Sequence, residues 1–465
     1  MSVAGPSRIT PAWAEWAGEH ALGRYSLGVE EEAMLLDPRT WGLAHRIEDL
    51  LPRLPEAAQA QVTAETHGSA FEMQTGPAGS VAEAIAELRS LRAELAGTLE
   101  APGLRAAVAG THPFAIWQEI AVSGGERYQF VYGSMRELAR REPTFALHVH
   151  VGLADAETAI RVHDRMRVHL PMLLALSANS PFWQGRDSGL ASARTPLFQA
   201  FPRVGVPRAF GSYEAYAETV DLLIRTEAVP ESTFLWWDVR PQPALGTVEV
   251  RVMDSQTRCE DTAALVALVV CIARLEAEEG YAGEAAIAAG EVITENRFLA
   301  ARDGAEARLV DVALERRIPV AELLADLLGA CRSHAQDLGC ESELEAVDDL
   351  LRDPPARRQI RVARDAPSLG RLVEHLSDRF AECRRCSGGR PVPAARSVTG
   401  PLRGRVAVTV AARGRRVVRQ PARAASKAAR AASSKRQKRT SWTVRHSPAA
   451  SRAAATATGA ASSRG

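Results

Sequence analysis

Residues 1–382 contain no lysine; the three in the chain, Lys427, Lys435 and Lys438, all lie near its C-terminal end. A body without lysine cannot contain a P-loop, whose lysine reaches the β- and γ-phosphates. Nor can it form a Schiff base. If this body handles phosphate, arginine, metal ions or backbone amides must do it. Cysteine is also scarce. The six cysteines fall at no framework spacing, which fits a reducing cytoplasm rather than a disulfide scaffold. Long apolar runs are missing too. The most apolar helical stretch, Ala263–Ala273, is bracketed by Asp261 and Arg274 and is too short to span a bilayer, so Cys271 within it reads as core. The opening Met1-Ser-Val-Ala-Gly-Pro6 lacks the charged-then-apolar build of a signal peptide. We expect a soluble, cytoplasmic body with no membrane partner.

Acidic residues are absent from 383–465, which holds 20 of the 57 Lys and Arg; the remaining 37 face all 56 Asp and Glu, so the body carries a net −19. The tail is rich in Ala, Arg, Ser, Gly and Thr, has little apolar area to bury, and is expected to be disordered. Its Ser434-Lys-Arg-Gln-Lys-Arg439 run could grip a nucleic-acid backbone, and Cys383-Arg-Arg-Cys386 is at most half a zinc site. The abrupt change in composition fits an unselected extension at least as well.

What is present in the body is a set of alternating strands with chemically loaded faces. Thr247–Asp254 places Thr247, Glu249 and Arg251 on one side and Val248, Val250 and Val252 on the other. Tyr25–Leu36, closed by the Asp37-Pro38 turn signal, reads as a strand in which Glu30 and Glu32 share a face about 7 Å apart. That spacing lets two carboxylates ligate one cation or two neighbouring ones, although a short acidic run is more often a solvated face. Phe145–Gly152 puts His148 and His150 together against an apolar side of Leu147, Val149 and Val151. Paired imidazoles in an otherwise apolar strand suit metal or phosphate. A zinc pair is the rival, but no third zinc-type ligand stands at recognisable spacing.

Four further stretches bear on chemistry. Val62–Thr75 contains Glu65 and Glu72; Glu72 sits between Phe71 and Met73, where an unpaired carboxylate is expensive to bury. Gly110–Phe114 is a turn carrying His112, and a lone loop histidine is more often structural. The Ser177–Arg203 segment follows a long helix, Asp155–Ser177, expected to break near Pro171. Being long and polar, this segment is a candidate lid, with Arg186 and Arg194 as candidate anion-binding groups. Arg240 precedes the Thr247 strand, and if the two strands pair through the Pro241–Gly246 turn, Arg240 and Arg251 converge on one anion. Val81–Leu99, with Ser80 as N-cap, and Cys259–Glu279 read as packing helices.

Taken together, Gly28-Val-Glu-Glu-Glu32, Glu65-Thr-His-Gly-Ser-Ala-Phe-Glu72, Gly110-Thr-His-Pro-Phe114, His148-Val-His-Val-Gly152, Trp237-Asp-Val-Arg-Pro241 and Gly246-Thr-Val-Glu-Val-Arg-Val-Met-Asp254 resemble, in order, the carboxylate–amine ligase family (glutamate–cysteine ligase type 2, with a glutamine synthetase-like catalytic fold). The resemblance covers roughly residues 24–380. It implies an α+β fold: a curved antiparallel sheet of glutamine synthetase-like type with helices packed on its outer face. The corresponding domain division is an N-terminal extension at 1–23, a ligase domain at 24–382 and the basic tail at 383–465. It further implies ATP and Mg²⁺ or Mn²⁺. Glu30, Glu32, Glu65, Glu72, His148 and Glu249 then fall at metal-ligand positions, Glu65 being the position where the family motif is loosest. His150, Arg240 and Arg251 fall at phosphate-binding positions, with Arg186 and Arg194 from the long loop as further candidates. Arg240, Arg251 and Glu249 are the expected catalytic set.

The expected reaction is ATP-dependent amide formation through an acyl phosphate, nominally glutamate with cysteine as the acceptor amine. The rival readings are phosphoryl transfer to a guanidino compound, and a nucleic-acid-associated protein acting through the tail with an inactive body. A homo-oligomer is open by the resemblance alone.

Overall fold

The computed structural model describes residues 10–18, 23–141 and 143–386, with side chains to 382. The Cys383–Cys386 pair and the basic tail lie outside the residues whose side chains are described. Seven strands form one sheet: β1 (Leu27–Leu36), β2 (Val62–Ala64), β3 (Ala70–Gln74), β4 (Arg105–Ala107), β5 (Ala146–Gly152), β6 (Val239–Gln242) and β7 (Thr247–Asp254). Their order is β6-β7-β5-β1-β3-β2, with β4 paired to the far end of β1, and every pairing is antiparallel. The three strands singled out by their alternation, β7, β5 and β1, are thus immediate neighbours at the centre of the sheet.

The larger helices described are α1 (Val81–Thr98), α2 (Glu126–Met135), α3 (Ala156–Ser177), α4 (Tyr213–Arg225), α5 (Cys259–Glu278), α6 (Gly290–Asp303), α7 (Val320–Leu338) and α8 (Leu369–Cys386). Ser80 caps α1 as expected, accepting from Glu83 N at 3.2 Å. The break expected at Pro171 does not occur: α3 runs through it. Every residue from His169 to Ser177 is buried there, and packing of that stretch outweighs the roughly 3 kcal/mol that an interior proline costs.

One face of the sheet is a hydrocarbon layer. Leu27, Val29, Ala33 and Leu35 of β1, Phe71 and Met73 of β3, Val149 of β5 and Val248 and Val250 of β7 pack in one cluster with α1, α3 and α5. Cys271 is fully buried there, as its apolar surroundings imply. This layer fixes the register, because a slip of one residue in β1 would bring Glu30 and Glu32 into it. A bulge between Val250 and Met253 lets β7 place both Val252 and Met253 in the same core. An aromatic-rich cluster forms separately from Met135, Phe201, Phe210, Tyr213, Tyr216 and Phe234. Trp13 and Trp16 pack on it, so residues 10–18 lie against the body.

Candidate active site

The opposite face of the sheet carries the chemistry, and strand register sets it out. Glu30 on β1 stands opposite His148 on β5 and Gln74 on β3; Glu32 stands opposite Glu72; Glu249 on β7 stands opposite both His150 and Arg240. Period-two alternation therefore collects on one face the acids, imidazoles and guanidinium groups that lie far apart in sequence. Most of them border a cavity of about 460 Å³, lined by Glu30, Glu32, Glu65, Glu72, His148, Arg194, Arg240 and Arg251 together with side chains of α2 and of the 198–236 region, while Glu249 and His150 are buried behind that lining.

His148 sits at the centre. Its Nδ1 lies 3.1 Å from Glu30 Oε2, 3.6 Å from Glu72 Oε2 and 3.9 Å from Glu249 Oε1, while its Nε2 lies 3.9 Å from Glu32 Oε1. Two triads have ligand atoms close enough to share a cation: Glu30, His148 and Glu249, and Glu32, Glu72 and His148. Burial and the neighbouring Arg251 push the His148 imidazole down to about 4, so it is neutral and keeps a lone pair to offer a metal.

Glu249 is fully buried and clamped. Arg240 Nε donates to its Oε2 at 2.7 Å, Gln242 Nε2 donates to the same oxygen at 2.6 Å, and Arg251 Nη1 donates to Oε1. Burial alone would raise this carboxyl, but Arg240 and Arg251 outweigh it and hold the group well below the usual carboxylate range. The expected convergence of these arginines on one anion is found, and the anion is Glu249. Glu30 is also held low, the upward push of burial being outweighed by the nearby His150 imidazole and by hydrogen bonding to His148.

The other three acids behave in the opposite way. Glu72, Glu32 and Glu65 are all raised, first by burial; Glu30, Glu65 and Glu32 repel Glu72, Glu30 adds to Glu32, and Glu65 is pushed up to about 8 with Glu32 as its main repelling neighbour. Carboxylates that repel one another around a cavity are what a divalent cation would neutralise. The complementary feature is a set of buried guanidinium and imidazole nitrogens without hydrogen-bond partners: Arg251 Nε, Arg194 Nε and His150 Nε2. His150 Nδ1 lies 2.9 Å from Thr247 Oγ1, whereas its Nε2 is 3.4 Å from Glu30 Oε1 and out of alignment. The residues present thus fit both a hard cation and a polyanion.

Two expectations about the long segment need correction. Arg186 does not reach the cavity. It lies exposed in a short hairpin of Phe182–Trp183 with Arg186–Asp187, and nothing buries its guanidinium. Arg194 does line the cavity, because it is buried at the start of a short helix, Arg194–Phe198, and donates to the carbonyls of Val252 and Arg251 at 3.1 and 3.2 Å. Nor is Ser177–Arg203 built as a lid. Asp254 is fully buried and accepts from Asn179 N at 2.8 Å, Ser180 Oγ at 2.6 Å and Ser192 Oγ at 2.9 Å, which fixes the segment as a wall. His112 is structural: its Nε2 is 2.9 Å from Trp41 O, its Nδ1 accepts from Ala115 N, and burial pushes it down to about 4.

Sequence reading missed several groups at the cavity. Gln74, whose Nε2 donates to Glu72 Oε1 at 2.5 Å, follows the β3 alternation and was legible in principle. Arg127 and Tyr128 come from α2, a helix with no pattern of its own to mark it; Tyr128 Oη donates to Ala64 O on β2.

Comparison with known proteins follows this geometry. The model of glutamate–cysteine ligase family 2 (GCS2) matches residues 26–375. A Rubrobacter xylanophilus protein named "putative glutamate–cysteine ligase 2-1" is 41% identical over 345 residues, covering 74% of this chain and 92% of its own. A Sorangium cellulosum protein named "putative glutamate–cysteine ligase 2" is 36% identical over 362 residues, covering 76% and 96%. Among solved structures, the glutamate–cysteine ligase of Francisella tularensis in complex with AMP shares the fold, with a TM-score of 0.61 at 14% identity over 79% of this chain and 90% of that one.

Proposed function

The chain belongs to glutamate–cysteine ligase family 2 and is a ligase; on that premise we propose that it joins a carboxylate to an amine in an ATP-dependent reaction. The acid is L-glutamate, through its γ-carboxylate, and the amine is L-cysteine, giving γ-glutamylcysteine, ADP and phosphate. Residues 24–382 form the catalytic domain in this reading. The observation that carries it is the shared face of β1, β5 and β7, where acids in excess of their arginine partners surround a neutral imidazole.

A carboxylate is a poor electrophile. Transfer of the γ-phosphoryl group of ATP to its oxygen breaks the bond from γ-phosphorus to the bridging oxygen and gives an acyl phosphate and ADP. The amine nitrogen then attacks the acyl carbon, the tetrahedral adduct expels phosphate, and the amine's proton passes to solvent or phosphate. Mg²⁺ or Mn²⁺, held by Glu30, Glu32, Glu65, Glu72, His148 and Glu249, would neutralise the triphosphate. Arg251, Arg240 and His150 supply positive charge to the phosphoryl oxygens. Glu249 keeps the two guanidinium groups aimed at the cavity. Arg194, on the wall fixed by Asp254, adds a buried cationic edge and excludes water, which would hydrolyse the acyl phosphate.

The test is ADP release with glutamate, cysteine and Mg²⁺, with mass spectrometry of the product. An amide that forms only when both substrates are present, and not with Glu249→Gln or His148→Ala, supports the reading. A stable phosphorylated product without amide, or full turnover by the variants, overturns it.

A further inference from the structure

Four arginines line the cavity among the described residues, and three are already committed. Arg240 and Arg251 hold Glu249, and Arg194 is 3.6 Å from Asp254 and bonded to backbone carbonyls. The fourth, Arg127 of α2, is different. Its partner Glu231 is at 2.8 Å, and both side chains are about half exposed (48% and 47%), so water competes for the pair and it holds little energy. The guanidinium nevertheless has a preset position, 4.6 Å over the Phe234 ring, with Nη2 donating to Thr233 Oγ1 at 3.2 Å. Thr233 is also the residue whose carbonyl accepts from Arg240 Nη1 at 3.0 Å. A single residue therefore bridges an arginine of the proposed phosphoryl site and a second arginine with exchangeable partners.

We propose that Arg127 binds the α-carboxylate of the amino acid whose side-chain carboxylate is activated, and so selects a dicarboxylic amino acid as the donor. The inference rests on the ligase reading above. The donor must present two carboxylates a few carbons apart, one to the phosphoryl group and one to a cation beside it. The Arg240–Thr233–Arg127 arrangement joins two guanidinium groups through one residue on the same cavity. A planar guanidinium stacked on an aromatic ring is pre-organised for bidentate carboxylate binding, and a substrate carboxylate takes the place of the weakly held Glu231. The acceptor, L-cysteine, also carries an α-carboxylate, but the link through Thr233 puts Arg127 beside Arg240 of the phosphoryl side, where the donor lies.

The experiment uses the full chain with saturating MgATP and measures ADP release for two donors, L-glutamate and 4-aminobutanoate, which lacks only the α-carboxylate. Arg127→Ala raises the KM for glutamate roughly tenfold or more with kcat within about threefold, and leaves the KM for 4-aminobutanoate unchanged. Arg127→Lys falls between, and Glu231→Gln, which removes the competitor but keeps the guanidinium, leaves the glutamate KM equal or lower. Equal effects on both donors, no effect on either, or an effect that follows the acceptor (cysteine but not cysteamine) overturns the proposal while the ligase reading stands. A wild-type chain that releases no ADP with any acid and amine overturns both.

Discussion

Glu30, Glu31 and Glu32 are consecutive on β1, yet the two faces of the strand treat them in opposite ways. Glu31 points into the packed layer and is completely buried with Arg92 of α1. Arg92 Nε donates to Glu31 Oε2 at 2.8 Å and Thr262 Oγ1 donates to Oε1 at 3.1 Å, while Arg92 also holds the carbonyls of Gln256 and Thr257 just past β7. That is one acid, one base and hydrogen bonds to the remaining oxygens. Glu30 and Glu32 face the cavity, where four glutamates crowd around His148 and Glu65 lines the same space, and where Glu32, Glu65 and Glu72 are driven upward by burial and mutual repulsion. A fold that only needed stability would balance both faces as it balances Glu31. Excess charge retained on one face alone marks that face as built for a ligand, and Glu31 supplies the internal control.

The comparison breaks most directly at Glu249. Glu249→Ala removes the anion between Arg240 and Arg251, and ADP release is expected to fall by about 10² to 10³, as for loss of a group that orients transition-state charge. Next in size is the control face. Arg92→Ala strands Glu31 in the core and should cost about 3–5 kcal/mol in denaturant unfolding, whereas the double change Arg92→Met with Glu31→Leu should recover most of it. Full recovery of stability, with ADP release lowered only modestly, would show that the Glu31 side is architecture.

A smaller effect comes from pH. The Glu65 carboxyl is raised to about 8, and Glu72 and Glu32 are raised too, so these groups bind protons more tightly folded than unfolded. For Glu65 that contribution is fully present below the ordinary glutamate range and is lost as pH climbs from about 4.5 towards 8, with a slope of up to about 1.4 kcal/mol per pH unit; Glu72 and Glu32 act in the same direction. Burial pushes the His67, His112 and His148 imidazoles down to about 4, which adds stability as pH rises to about 6.5. The fall is therefore expected in thermal melts of metal-free protein between about pH 6.5 and 8, and millimolar Mg²⁺ or Mn²⁺ should flatten it. The smallest effect is at Arg186→Ala. Exposed in its hairpin, it should change stability by less than about 0.5 kcal/mol and leave ADP release unaltered.

Much of this was legible before any coordinates. Period-two alternation in β1, β5 and β7 gave each ligand face, and a Glu set between Phe71 and Met73 gave that of Glu72. Strand adjacency is a fact of pairing: the resemblance implied a curved antiparallel sheet but not its strand order. Arg186 and Arg194 were indistinguishable in sequence, because what separates them is a partner 60 residues away, Asp254, which fixes the Arg194 wall and leaves the hairpin free. Glu31 looked like part of an acidic run; alternation puts it on the apolar face, and what makes its burial there tolerable is Arg92, on a different element. Arg127 had no local signal at all, since its meaning lies in its stacking on Phe234 and its link through Thr233 to Arg240.

In the proposed reaction the excess acids around His148 hold divalent cations for a nucleotide. Titration of the metal-free chain with Mn²⁺, read by the loss of its free-ion paramagnetic resonance signal with and without a non-hydrolysable ATP analogue, tests it directly. The account predicts saturable binding that tightens with the nucleotide and is lost in Glu30→Gln/Glu72→Gln but kept in Arg92→Met/Glu31→Leu. Binding that is absent in the wild type, or that survives unchanged in Glu30→Gln/Glu72→Gln, would contradict it.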